Sequence, residues 1–169
     1  FRITSFRIGI LGNLIARLGS GSIPFLTPLF LQVALGFNPT HAGLTMVPIA
    51  LGAMSTKLLA NWVVRRLGFR PVLMLNTLLL GALIAGFSSV SNETPYALLL
   101  LYLALLGVFN SMQFTAMNTL TLKDLSQQDA SSGNSFLSMI MMLSMSIGVA
   151  LAGTLVNMLS AYYGADNLV

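Results

Sequence analysis

Two basic side chains fall inside otherwise apolar sequence, and their position makes them the chain's strongest chemical signal: Arg17 and Lys57. Each lies in an apolar run long enough, as a helix, to cross a hydrocarbon core of about 30 Å. Counted from a helix start near Phe6, Arg17 sits roughly 16 Å in, close to the midplane. Lys57 sits roughly 10 Å from the nearer, C-terminal end of its run. A lipid-facing charge at such depth costs about 3 kcal/mol on insertion scales. No Asp or Glu lies in any of the long apolar runs to pair with either. Two readings stay open. The stem can lie in lipid while the charged head reaches the interface. Side chains lean towards a helix N-terminus, which helps Arg17 do so and carries Lys57 deeper. Alternatively the cation faces a polar cavity and meets an acid elsewhere in the protein or a substrate anion.

For Arg17 the cavity reading is preferred because its own run is broken just beyond it. Gly19, Gly21, Pro24 and Pro28 interrupt that run, with Ser20, Ser22 and Thr27 among them. Pro24 and Pro28 have no N–H, so the carbonyls of Ser20 and Pro24 lose their helical donor. Such breaks persist at membrane depth where a neighbour or a wet cavity satisfies the backbone, and broken helices often line transporter sites. A plain kink is the alternative, since Gly and Pro are common in membrane helices. A second polar set lies along one helical stripe: Asn110, Gln113, Met117 and Thr121, with Ser111, Thr115 and Asn118 beside it. Amides in a span need partners, so this face looks into a bundle or water, either as cavity lining or as interhelical glue.

Other chemistry is disfavoured. The chain has one histidine, His41, no cysteine, and four acidic residues, none of them paired in an apolar run. A nucleophile with its base, or a metal cluster, cannot readily be assembled, and neither disulfides nor thiolate metal sites are possible. No enzyme activity and no cofactor are expected. The net charge of +4 comes from eight basic and four acidic residues, too few to expect nucleic-acid binding. Only 7% of residues are charged and 56% are hydrophobic, against about 25% charged in a soluble domain. Lipid must therefore contact most of the surface.

The elements that hold these residues read as five spans, near 7–34, 42–64, 71–90, 96–121 and 133–160. Period-two alternation is missing, so the fold class is an all-α polytopic membrane helical bundle, not a barrel. Short connections predict antiparallel sequential neighbours. Arg2, Arg7, Arg65, Arg66, Arg70 and Lys123 fall at the N-terminus and in the second and fourth connections, whereas the first and third carry only His41 and Glu93. By the positive-inside rule the N-terminus is cytoplasmic and the C-terminal loop external. The third span, with Asn76 and Thr77 as its main polar residues, is expected at the lipid-facing periphery. Ser144, Gly148 and Ala152 form a small-residue stripe for close helix packing in the fifth, beside Met139, Met141, Met142 and Met145.

The connection Asn61-Trp62-Val63-Val64-Arg65-Arg66-Leu67-Gly68-Phe69-Arg70-Pro71-Val72 resembles the cytoplasmic signature of the major facilitator superfamily, G-x-L-x-D-R-x-G-R-R-x-[LV]. Arg66, Gly68, Arg70 and Val72 match; Asn61, Val63, Arg65 and Phe69 depart from it, Arg65 standing where the family has Asp. Longer segments resemble the family's fourteen-helix drug:proton antiporter branch: RLGSGSIPF at 17–25, HAGLTMVP at 41–48, MNTLTLKDL at 117–125, and ASSGNS at 130–135 through SIGV at 146–149. The resemblance implies helices nine to thirteen of fourteen, that is, five of a six-helix C-terminal half. The chain begins at Phe1 rather than Met, and an N-terminal half and a last helix are expected to be missing from it.

The resemblance further implies a secondary transporter of the bacterial inner membrane, exporting hydrophobic or amphipathic drugs by alternating access. A proton gradient would supply the energy, with the proton-carrying acids outside this chain. Arg17, Lys57, Asn110, Gln113 and Asn118 would line the cavity, Gly19, Gly21, Pro24 and Pro28 would form the hinge, and Arg65, Arg66, Gly68 and Arg70 the signature loop. The implied partners are membrane lipid, a small-molecule substrate and the protein's own N-terminal half. Transport of an organic anion on Arg17 and Lys57, or a non-transporting membrane scaffold, are the alternatives. A channel is disfavoured by the lack of charged rings.

Overall fold

A computed structural model describes residues 4–91 and 93–163, with the side chains of Thr4, Lys57, Leu58, Leu59, Asn61, Gln127 and Tyr163 outside the description. Among the described residues there is no strand, and the helices are α1 (Thr4–Ser20), α2 (Ile23–Val33), α3 (Pro39–Thr45), α4 (Val47–Leu67), α5 (Phe69–Gly86), α6 (Tyr96–Leu122) and α7 (Gln127–Tyr163). Among the described residues, four segments are long and apolar enough to cross a membrane: Ser5–Val33, Phe69–Ser89, Tyr96–Leu122 and Gln128–Tyr162. The run read at 42–64 falls on α3 and α4 instead of one helix. Pro48 sits in the first turn of α4; lacking an N–H, it starts a helix better than it continues one. At 21 residues, α4 still extends roughly 31 Å.

The chain divides into two compact units, residues 1–37 with 120–169, and residues 38–119. In the first, α1 packs along α7. A Cβ on Gly148 would stand 2.6 Å from the Leu18 carbonyl oxygen, and one on Gly21 would meet Met145. Only a residue with no side chain lets the two backbones come this close. Ser144 and Gly148 are buried in this contact, and Ala152 is half-buried. One turn from the N-terminus, Phe6 and Ile10 of α1 enclose Leu137 of α7, with Leu122, Leu125 and Phe136 around them. On α7, the hydroxyls of Ser135, Ser138, Ser144, Ser146 and Thr154 each donate to the carbonyl four residues back, at 2.7–3.0 Å.

In the second unit α6 is held against α4 by a reciprocal pair of glycines: Gly52 faces the Ala104 carbonyl, and Gly107 faces the Ile49 carbonyl. The Thr56 hydroxyl spans to the Val108 carbonyl (3.1 Å), and the Ser111 hydroxyl to the Ala53 carbonyl (3.0 Å). α5 contributes one buried stripe, Val72, Asn76 and Leu80, at the i, i+4, i+8 spacing of a helix face. Its remaining surface is apolar and exposed, Leu78 at 72% and Met74 at 70%, the pattern of a helix at the edge of its unit. Between α4 and α5 the chain turns on Gly68, whose φ of +84° costs glycine little and any residue with a Cβ much more.

Candidate functional site

The sequence-derived site residues fall in both units. In the first, the span 5–33 is interrupted between α1 and α2, whereas the helix runs on through Pro28. α1 ends at Ser20, α2 begins at Ile23, and Pro24 occupies the first turn of α2 while Pro28 lies inside it. The Gly21 N–H still reaches the Arg17 carbonyl (2.8 Å), and the next turn restarts from the Ser22 carbonyl, which accepts from Leu26 (2.8 Å). The hydroxyls of Ser20 and Ser22 donate to Ala16 and Gly19 carbonyls, both at 2.9 Å. The interruption is thus closed by local bonds around two buried serines. Arg17 is half-buried in the last turn of α1, immediately before the break.

One turn earlier lies a residue outside the polar stripes picked from the sequence. Asn13 is 1% exposed, and its Nδ2 donates to the Gly9 carbonyl and the Thr121 hydroxyl, both at 3.1 Å. Thr121 is fully buried. Gly9 allows this approach, since a Cβ there would collide with Thr121. Gly9, Asn13, Arg17 and Ser20 therefore form a polar and small-residue stripe on α1. The sequence signal was available: an amide one turn before an arginine, in a run that otherwise offers little polarity.

In the second unit Gln113 is 5% exposed and both ends of its amide are engaged by α5. Its Oε1 accepts from Asn76 Nδ2 at 2.8 Å, and its Nε2 donates to the Thr77 hydroxyl at 2.9 Å. Asn76 Nδ2 also donates to the Phe109 carbonyl at 2.9 Å. Asn76 and Thr77 of the edge helix thus bond it to α6, as does the Leu83 carbonyl, which accepts from the Tyr102 hydroxyl. Asn110 is half-buried one turn from Gln113. Asn118 is different: its Oδ1 is buried and has no hydrogen-bond partner among the described residues. The Lys57 side chain lies outside the described residues.

The signature-loop residues are placed together at the α4–α5 turn. Arg65 and Arg66 end α4, Gly68 makes the left-handed turn, and Arg70 lies in the first turn of α5; all three arginines are exposed. The Arg66 guanidinium stands 5.3 Å from the centroid of the Trp62 ring, a cation–π distance. At the opposite end of α4's unit, Asn38 caps α3 by accepting from the His41 N–H (2.7 Å), and the His41 ring stacks on Tyr96 at 5.6 Å.

MdtD of Enterobacter sp. (strain 638), a protein named for multidrug resistance, is 51% identical over 168 residues, covering 99% of this chain and 35% of its own. MdtD of Salmonella newport (strain SL254) is 53% identical over 158 residues, 94% of this chain and 34% of its own. The chain thus spans about a third of the length of these curated relatives. No solved structure matches it. The long apolar helices and these relatives identify an integral protein of the bacterial inner membrane. The Major Facilitator Superfamily profile matches residues 9–165, and the chain belongs to that superfamily.

Proposed function

We propose that this chain supplies cavity wall and moving parts to a secondary active transporter that exports hydrophobic or amphipathic compounds, driven by a proton gradient, and that it is not an enzyme. The observation that carries this reading is the half-buried Arg17 at the break between α1 and α2. A charge at that depth is retained against its insertion cost when it faces a polar path, and a broken helix beside it supplies the φ/ψ freedom for alternating access. Family membership and the relatives named for multidrug resistance support the same reading. The first unit contributes Arg17 as its cavity candidate and Gly19, Gly21, Pro24 and Pro28 as its hinge, and the second contributes Asn110, Asn118 and Lys57 as its own cavity candidates. Gln113 is better assigned to holding α5, because its amide is consumed there. Among the described residues the one acid in these helices, Asp129, lies in the first turn of α7, and proton coupling is assigned to residues of the transporter outside this chain.

The test is uptake into proteoliposomes by the full-length transporter under an imposed pH gradient. Arg17→Met is expected to abolish transport at unchanged folded yield. If the variant instead mainly loses folded protein, Arg17 is structural and a membrane scaffold becomes the better reading. The charge on Arg17 also favours an organic anion as a second substrate class. Transport of cationic dyes but not of carboxylates removes that version.

A further inference from the structure

Within the second unit a cavity of about 490 Å³ opens between α4, α5 and α6, walled by Val63, Val72, Leu75, Phe109 and Met112. Among the described residues three polar ones touch it, and the donors of each are engaged. Asn76 donates to Phe109 and Gln113, Thr56 bonds Gly52 and Val108, and the Ser55 hydroxyl donates to the Leu51 carbonyl at 2.9 Å. With these donors engaged and the wall otherwise apolar, the cavity does not hold water or a polar solute well; it suits hydrocarbon. One end is framed by Leu67 and Pro71, the other by Leu79. From Pro71 to Leu79 the helix rises roughly 12 Å, within the ~15 Å depth of a single leaflet.

Leu67 and Pro71 are also the chain neighbours of Arg66 and Arg70, so the groove ends at the turn carrying Arg65, Arg66 and Arg70. All three are exposed, and no Asp or Glu occurs anywhere in residues 39–92 to neutralise them. Trp62, 59% exposed beneath Arg66, marks headgroup level, where tryptophans in membrane proteins collect. We infer that this groove binds one anionic phospholipid, with an acyl chain between α4, α5 and α6 and its phosphate on the arginines of the α4–α5 turn. The occupant is assigned from charge complementarity at the mouth and the apolar, single-leaflet depth of the groove. Nothing in the inference depends on transport.

The test is native mass spectrometry of the full-length protein released from nanodiscs of phosphatidylglycerol or phosphatidylcholine. Each basic residue near the surface contributes about fivefold to retention of an anionic headgroup, so phosphatidylglycerol is expected to stay bound at least roughly tenfold better. The triple variant Arg65→Gln, Arg66→Gln, Arg70→Gln should erase that preference, and triple Arg→Lys should keep it. Leu75→Trp, which fills the groove from an exposed position and leaves the arginines in place, should lower retention of both lipids. Excess inorganic phosphate should not displace the bound lipid. Equal retention of the two lipids by the parent overturns the inference, as does a groove-filled variant that binds normally. Loss of a bound lipid to phosphate alone, or protection of Leu75 by another helix of the protein, overturns it as well.

Discussion

Replacing Asn76 by leucine removes two hydrogen bonds at once, to the Phe109 carbonyl and to Gln113 Oε1. Side-chain bonds between membrane helices average about 0.6 kcal/mol and reach about 1.7, so their loss alone costs roughly 1–3 kcal/mol. The variant also leaves Gln113 Oε1 buried without its donor, a group whose orphaning carries a further penalty of about 1 kcal/mol or more. Asn76→Leu should therefore destabilise by roughly 2–4 kcal/mol. Gln113→Leu should do the same, since it strips bonds from Asn76 and Thr77 together. The double variant should cost less than the sum by about 1–2 kcal/mol, because two leucines leave neither amide stranded. Reversible unfolding of the full-length transporter in mixed detergent micelles gives the four free energies. Transport by the same proteins separates pinning from substrate contact. Additivity within about 0.3 kcal/mol would refute the pairing. Lost transport at unchanged stability for Gln113→Leu would return that residue to the cavity.

Four further outcomes are expected. Gly107→Ala sets a Cβ 2.8–2.9 Å from the Ile49 carbonyl carbon and Cα, an overlap of backbone costing about 1–3 kcal/mol; Gly81→Ala, with open space around it, is the neutral control in the same thermal melts. Asn13→Ala removes the bond to Thr121 and should lower stability by about 1–2 kcal/mol, read from the unfolding midpoint. Gly68→Ala forces a Cβ into φ +84°, ψ 163°, a region essentially restricted to glycine, for about 1–3 kcal/mol, and Gly68→Asn should cost as much in the same assay, because its tolerance is for a smaller ψ. Asn118→Leu removes a buried amide oxygen that has no partner among the described residues. It should hold or raise stability while reducing transport, the trade-off of a group kept for a ligand; lost stability with normal transport would make it structural.

Much of this architecture was legible because lipid leaves a chain few choices. Where backbone groups must be satisfied internally, an apolar run of span length is a helix, and the runs near 71–90, 96–121 and 133–160 are found on α5, α6 and α7. Proline chemistry placed the break at 20–22, since Pro24 cannot supply the N–H that Ser20 would need. Pro48 separates α3 from α4 by the same chemistry. What composition hides is pairing. Asn76 and Gln113 were both visible, yet their partnership needs depth along two antiparallel helices: Asn76 is roughly 10 Å from the start of α5, and Gln113 roughly 13 Å from the end of α6. Matching depths join them and show why a peripheral helix carries amides at all. The pairing of Asn13 was hidden for the related reason that its partner, Thr121, is 108 residues away.

The hydroxyls of α7 spend their hydrogen bonds on their own helix, and this decides how α7 meets α1. An interface stitched by cross-helix polar bonds has discrete seats, each worth a bond to leave. Here the seat is set by shape, by the Gly148 backbone lying on Leu18, while the serines stay satisfied whichever way the helices shift. Such a contact resists sliding by steric overlap, since a shift along α7 would bring a Cβ against the Leu18 carbonyl, and leaves rotation about the crossing point comparatively free of polar bonds. Motion that needs α1 to roll against α7 would then meet its resistance at the directional bond between Asn13 and Thr121, and not along the length of the helices.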